Sequence, residues 1–300
     1  MELVNPVRIV LIGEAMLELS QRGEHWHLGH GGDTLNTALH LARMDHDVAY
    51  LTALGSDPLS MGLRERWRAE GLDTTLVLHH PDCATGLYAI STDEGGERSF
   101  AYWRDQSAAR AMFALPGSAQ ALDQAAQADM IVFSLITLAI LPPEGREALY
   151  ALARSVRERG GEVAFDGNYR ARLWSSTEEA RNQRDQAIAL ATIGLPTLDD
   201  EALLSGETDC DAVAAHWQGL GCFETLVKLG EQGCRLPDGQ VVAPPQVLQP
   251  LDTSGAGDAF NAGYLGARMR GATAAEAALA GHVLAGWTVM RPGAIPDRDP

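Results

Sequence analysis

The stretch DTLNTALHLARMDHDVAYLTALGSDPLSMGLRERWR, residues 33–68, carries the alternation that decides the fold. Leu35, Ala38, Leu39 and Ala42 recur at three- and four-residue spacing, with Asp33, Asn36, His40 and Arg43 on the other face. That period predicts an amphipathic helix over 33–44. DVAYLTAL (47–54) is a short apolar run of strand formers, and Asp57 then caps a helix that reaches Arg68. The same beat continues outward in both directions. VRIVLIG (7–13), MIVFSL (130–135), EVAFD (162–166), IGLPTL (193–198) and TLVKL (225–229) read as buried strands. Helices are predicted between them over 143–159, 177–191, 199–205 and 211–218, with two more near 256–269 and 273–289. Such alternation predicts an α/β fold, a mostly parallel central sheet with helices on both faces.

One segment breaks the rhythm. GLYAIST (86–92), the turn DEGG (93–96) and ERSFAYWR (97–104) predict a β-hairpin with two glycines in its turn. Residues 14–29 are also strand-like and lack a helical period. These pieces predict a small β lid, from segments about 14–30 and 84–106, over the carboxyl ends of the parallel strands. No linker, low-complexity tract or internal repeat divides the chain, so residues 1–300 read as one domain with its lid.

Composition limits the partners. The chain has 300 residues, 46% hydrophobic and 21% charged, enough for a sizeable core. Its 23 basic and 40 acidic residues give a net charge of −17, which argues against nucleic acid and against an anionic membrane surface. Lys228 is the only lysine; arginine supplies the rest of the positive charge. No apolar run is long enough for a transmembrane helix, and the N-terminus reads as a first strand without the features of a signal peptide. Four cysteines without a C-x-x-C pair suggest reduced thiols and a cytoplasmic location. Cys222 and Cys234 read as small buried hydrophobes. His25, His27 and His30, and separately His79, His80 and Cys83, lack a fourth ligand at suggestive spacing and read as solvated or substrate-adjacent.

The chemistry concentrates in LDTSGAGDAFNAGYL (251–265). Small residues over 254–257 let the backbone N–H groups of a helix N-terminus face outward, and such a terminus binds anions. Asp258 then falls in the first turn. Its carboxylate is either a helix cap or the base that takes a proton from an alcohol being phosphorylated.

DTSGAGDAFNAGYL resembles the C-terminal signature of the ribokinase-like (PfkB) carbohydrate kinases, and Gly31 to Asn36 resembles their N-terminal signature. GGDTLNTALHLAR, the hairpin with TGLYAI and ERSFAYWR, FDGNYRARLW (165–174), TLDDEALL (197–204), VKLG (227–230) and GAIP (293–296) follow in family order. The set most resembles the branch that phosphorylates 2-keto-3-deoxygluconate at its terminal hydroxyl. The resemblance implies Asp258 as catalytic base and Gly255, Ala256 and Gly257 as the anion hole. It implies Gly32, Asn36, Tyr88, Tyr102, Arg104 and Arg170 as substrate contacts. Asn168, Arg170, Lys228, Gly230, Gly233, Gly255 and Gly257 would border ATP. Mg2+ is implied as cofactor, with a monovalent cation, K+, near Asp252 and residues 291–293.

A keto acid has a carboxylate at one end, which suits the planar fork of arginine; Arg104 and Arg170 are the candidates, structural ion pairs their alternative. Lys228 could meet a phosphate, or be a lone survivor in an arginine-rich chain. Many relatives carry N-x-x-E where this chain has Thr197-Leu198-Asp199-Asp200, so the metal ligands stay open, with Asp200 and Asp252 as candidates. Another sugar kinase of the family (fructose, ribose or a modified keto sugar) and a non-catalytic sugar sensor remain alternatives. An exposed lid sheet could also join copies into a homo-oligomer.

Overall fold

β-branched and leucine-rich runs become the inner strands because both faces of each are covered. In the computed structural model, which describes residues 7–23, 25–92 and 98–298, fourteen strands alternate with ten α-helices. The strands are β1 Arg8–Ile12, β2 Met16–Arg22, β3 His25–Gly31, β4 Asp47–Gly55, β5 Val77–His80, β6 Gly86–Thr92 and β7 Arg98–Trp103. Then come β8 Met130–Ser134, β9 Glu162–Asp166, β10 Ile193–Gly194, β11 Glu224–Thr225, β12 Val227–Lys228, β13 Cys234–Arg235 and β14 Val241–Val242. The helices are α1 Asp33–Arg43, α2 Pro58–Ala69, α3 Ser118–Ala125, α4 Leu135–Ile140, α5 Pro143–Glu158, α6 Thr177–Leu190, α7 Leu198–Ser205, α8 Cys210–Gly219, α9 Ala256–Met269 and α10 Ala274–Val289.

The central sheet runs β11-β10-β9-β8-β1-β4-β5, and every pairing in it is parallel. Alternate residues of one strand serve opposite layers. Val10 and Ile12 join the layer with Leu149, Val156 and Ile188, whereas Ile9 and Leu11 join the layer with Leu35, Leu39 and Phe260. The order reverses beside β1, whose neighbours are β4 and β8, and the carboxyl ends of β1, β8 and β9 open onto one crevice. Ser134 and Asp166 end β8 and β9 there, and the loops after β1 and β9 bring Glu14 and Asn168 beside them.

β3-β2-β6-β7 form the separate lid sheet, with β2 and β6 parallel and the outer pairs antiparallel. The turn DEGG (93–96) lies outside the described residues. Register sets the faces of the lid. Glu18 pairs with Tyr88, and Tyr88 with Tyr102, so these side chains share one face; Leu19, Leu28, Ala89 and Ala101 share the other.

Asp57 caps α2 by accepting from the amides of Leu59 and Ser60, as its position predicts. Two expected strands are shorter than their apolar runs. IGLPTL is strand only at Ile193–Gly194, because Pro196 has no N–H for the ladder, and α7 begins at Leu198. TLVKL divides at Leu226: Glu224–Thr225 ends the main sheet, while Val227–Lys228 pairs with Cys234–Arg235 in the small sheet β12-β13-β14. Helices α3 and α4 and strand β5 had no clear period in the sequence. His79 and His80 lie in β5, and His80 Nδ1 accepts the amides of Asp82 and Cys83, a turn contact.

Candidate active site

Gly255 starts α9 in the left-handed region, at φ 69°. A Cβ there would lie 2.6 Å from the Cβ of Ala294, so only glycine brings the helix start this close to the GAIP segment. Ala294 is itself held, its carbonyl 3.2 Å from His40 Nε2 of α1. Ala259 N donates to Gly255 O, the first bond of the helix. No acceptor among the described residues faces the amides of Gly257 and Asp258, so both are available to an anion.

Asp258 sits in the first turn of α9, partly open to the crevice. Asn36 Nδ2 donates to its Oδ2 at 2.8 Å, and Thr37 Oγ1 donates to its backbone carbonyl at 3.2 Å. Desolvation by the surrounding protein pushes its carboxyl up to about 8; Asp33 and Asp166 add repulsion, while Asn36 and Lys228 oppose the shift. A carboxylate held this high can take a proton from an alcohol near neutral pH.

Asp33 opens α1. Its carboxylate accepts from Ser134 Oγ and, at 3.2 Å, from Asn168 Nδ2. Burial, chiefly, raises this carboxyl as well. Gly32, before it, has φ 152°, and a Cβ there would lie 2.2 Å from the carbonyl oxygen of Glu14. Asn36 Oδ1 is buried and, among the described residues, has no hydrogen-bond partner. It is an orphan acceptor lining a cavity of about 180 Å³, together with Met16, Glu18, Gly32, Tyr88, Tyr102, Ser254 and Gly255. Such an atom wants a donor such as a sugar hydroxyl.

Lys228 is buried beneath the start of α9. Its Nζ donates to Asp166 Oδ1 at 3.0 Å and to Asn261 Oδ1 at 3.1 Å, and Asn261 Nδ2 donates to Asp166 Oδ2 at 2.9 Å. The phosphate contact considered for this lysine meets an ammonium already held by two partners. A Cβ on Gly257 would stand 3.9 Å from its Nζ, which sets how near the ammonium lies to the helix start. Gly230 and Gly233 bracket the turn that follows β12.

The two arginines chosen from the sequence are engaged differently. Arg104 Nη2 forms an ion pair with Glu14, side chains 6% and 1% exposed, where the lid strands leave the body. Arg170 is exposed; it donates to Tyr169 O at 2.6 Å and to Asp200 Oδ1 at 3.1 Å. Tyr88 donates to Glu18 and stacks on Tyr102, ring centroids 5.9 Å apart. Asp252 joins two loops, accepting from Ser254 N on Oδ1 and from Gly293 N on Oδ2, each at 2.9 Å. Among the described residues, no group of three or more His, Cys, Asp or Glu side chains is arranged to hold a metal ion, and no helix is long and apolar enough to cross a membrane.

Sequence reasoning passed over Asp33, Asp166 and Asn261, although each stands inside a segment it quoted. Asn261 follows Asp258 by three positions, one helical turn, and that spacing was the available signal.

A doubly wound sheet, a lid over its crevice and a carboxylate beside free amides at a helix start define a kinase acting on small hydroxyl compounds. The pattern of the pfkB family carbohydrate kinases matches residues 7–299, and the chain belongs to that family. It is therefore a carbohydrate kinase, and its phosphoryl donor is ATP. The 2-dehydro-3-deoxygluconokinase of Dickeya dadantii is 41% identical over 297 residues, covering 96% of each chain. The enzyme of the same name from Escherichia coli K12 is 40% identical over 302 residues, 97% of this chain and 98% of that one. Among solved structures, aminoimidazole riboside kinase from Salmonella enterica, complexed with aminoimidazole riboside and an ATP analog, superimposes with a TM-score of 0.82 at 27% identity. That match covers 96% of this chain and 95% of the other.

Proposed function

We propose that this chain transfers the γ-phosphoryl group of ATP to the terminal hydroxyl of 2-keto-3-deoxygluconate, giving the 6-phospho acid and ADP. The substrate rests on near-full-length identity of about 40% to enzymes named for it. The single structural observation that carries the chemistry is Asp258, held by Asn36 beside the open amides of α9. The substrate oxygen forms a bond to the γ-phosphorus as the bond from that phosphorus to ADP breaks, and the hydroxyl proton passes to Asp258. The open amides of Gly257 and Asp258 stabilise the charge on the transferring group, whereas the Ala256 amide donates to Thr253 O at 3.3 Å. Asn36 Oδ1 and Gly32 meet sugar hydroxyls, and Tyr88 and Tyr102 wall the cleft. Asn168 and Arg170 lie toward the nucleotide, with Gly230 and Gly233 at its border.

ATP brings Mg2+, which neutralises phosphate charge. Asp200 and Asp166 are hard oxygen donors suited to a magnesium met through water, though each is also engaged by a cation, Arg170 or Lys228. A monovalent cation would be held by oxygens of the two loops that Asp252 joins, the Asp252 carboxylate itself accepting from Ser254 N and Gly293 N. Free cysteines suit the cytoplasm.

The outer face of the lid suits a second copy of the chain. Trp26, Leu28 and Trp103 are exposed there, on a sheet that must otherwise hold apolar side chains in water. Light scattering on Leu28→Glu against the unsubstituted protein checks this: a smaller mass for the variant supports the homo-oligomer, and equal masses refute it.

Phosphate transfer from ATP, measured across neutral sugars and sugar acids, tests the main proposal. The 2-keto-3-deoxy acid should give the highest kcat/KM. A higher value for fructose or ribose would replace it with the general sugar-kinase reading, and no transfer to any compound would favour a sensor.

A further inference from the structure

The polar face of α1 is turned inward and spent on the crevice. Asp33 accepts from Ser134 and Asn168, and Asn36 donates to Asp258. One turn beyond Asn36, His40 is 2% exposed, and its Nε2 lies 3.2 Å from the carbonyl oxygen of Ala294. A carbonyl only accepts, so Nε2 carries the proton of this imidazole. Arg43 follows, donating to Pro296 O at 2.6 Å while Glu70 accepts from the rest of its fork. Proton transfer and charge stabilisation use Asn36, Asp258 and the α9 amides; His40 has no part in either by contact.

The segment that His40 holds is a strap over the start of α9. Gly293 N donates to Asp252 at 2.9 Å, and the carbonyls of Ala294 and Pro296 are fixed by the two α1 side chains. Between these anchors Ala294 abuts the helix start. A Cβ on Gly255 would lie 2.6 Å from the Ala294 Cβ, 2.8 Å from its Cα and 2.9 Å from its carbonyl oxygen. That oxygen is the atom His40 holds. Ala294 also lines the cavity shared by Asn36, Ser254 and Gly255. Trp287 of α10 meets the imidazole edge-on, ring centroids 6.5 Å apart, and so fixes the ring in turn. A leucine would fill the same space without the cost of burying a polar ring.

Two parts of the chemistry are thus referred to one rigid helix. Asn36 sets the Asp258 carboxylate, and His40, through Ala294, sets the helix start whose Gly257 and Asp258 amides are open. Residues four apart share a helix face, so the geometry of α1 fixes the spacing between base and anion donors.

We propose that His40 is a positioning residue for phosphoryl transfer: by holding Ala294 against Gly255, it fixes the α9 amides relative to the Asp258 carboxylate. This rests on the reading of Asp258 and those amides as the phosphoryl-transfer site. His40 touches neither substrate and acts through the strap. A displacement of about 1 Å in such a site can cost a factor of about 10² in rate.

The test uses the full chain with His40→Leu, which removes the donor, and His40→Gln, whose side-chain N–H reaches about as far as Nε2. His40→Leu should lower kcat by about tenfold or more, with KM for the sugar acid within about twofold. His40→Gln should recover most of the loss. Aluminium fluoride, which with ADP and the sugar acid mimics the transferring group, should inhibit His40→Leu about tenfold more weakly. ADP alone should bind both proteins alike. A residue that only supports the fold would lower the melting temperature and leave kcat and fluoride inhibition unchanged per folded molecule, and that result overturns the assignment. A Gln variant no better than the Leu variant overturns it too. Should His40→Leu not fold, His40→Asn takes its place with the same outcomes, its amide being too short to reach Ala294. An unsubstituted protein that aluminium fluoride does not inhibit, or an Asp258→Asn variant that keeps its turnover, would instead overturn the phosphoryl-transfer reading beneath, and the assignment with it.

Discussion

The side-chain amide of Asn36 donates to Oδ2 of Asp258 at 2.8 Å, joining residues 222 positions apart at the floor of the crevice. This bond aims the carboxylate across the cleft and leaves Asn36 Oδ1 open to a ligand. It also ties the first turn of α1 to the first turn of α9, so the two signature segments meet as one site.

Asp258→Asn should keep the fold and lose the base. Turnover of the favoured sugar acid should fall by a factor of about 10² or more, the usual cost of removing a general base. KM for ATP should change little. Steady-state kinetics beside a circular dichroism spectrum checks this; a loss under about tenfold would remove Asp258 from the proton-transfer role.

The raised carboxyl predicts the pH dependence. The base must be ionised, and burial puts its midpoint at about 8. kcat/KM for the sugar acid should therefore climb with pH and level off above about 8. An ascending limb centred near pH 4 would show an unshifted carboxylate.

Stability should move in the opposite sense. A carboxyl raised from about 3.9 in the unfolded chain to about 8 in the folded one binds more protons when folded. Its contribution is complete below pH 4 and is lost as pH rises through 8. The melting temperature of Asp258→Asn, relative to the unsubstituted protein, should thus increase between pH 4 and pH 8 and then stay level. A constant difference across that range would contradict the shift.

The lid root depends on the Glu14–Arg104 pair. Arg104→Met should destabilise the fold by about 3–5 kcal/mol, because Glu14 stays buried without its partner. Desolvation already raises the Glu14 carboxyl, so the unpaired acid should protonate. The double variant Glu14→Gln/Arg104→Met should recover much of the loss in denaturant melts. Additive losses would mean that the two side chains do not interact.

Much of this site was legible because its signals are local. The spacing of Leu35, Ala38, Leu39 and Ala42 is complete within one helix, and small residues before Asp258 announce a helix start within eight positions. Both α1 and α9 form where those patterns stand. IGLPTL was misjudged in extent because apolar composition does not reveal where a proline interrupts a ladder.

By itself, then, the sequence determined the alternation of strand and helix, the glycine-bounded start of α9 and the presence of arginines suited to an acid. Periodicity and capping depend on neighbours a few residues away, so they can be read along the chain. Tertiary structure alone decided which charges meet. Arg104 reaches Glu14 across 90 positions, Lys228 reaches Asp166 across 62, and Arg172 lies over the ring of Tyr102. Those pairings follow from the order of strands and the register of the lid, which bring distant side chains within a few ångströms and remove the water that would otherwise screen them.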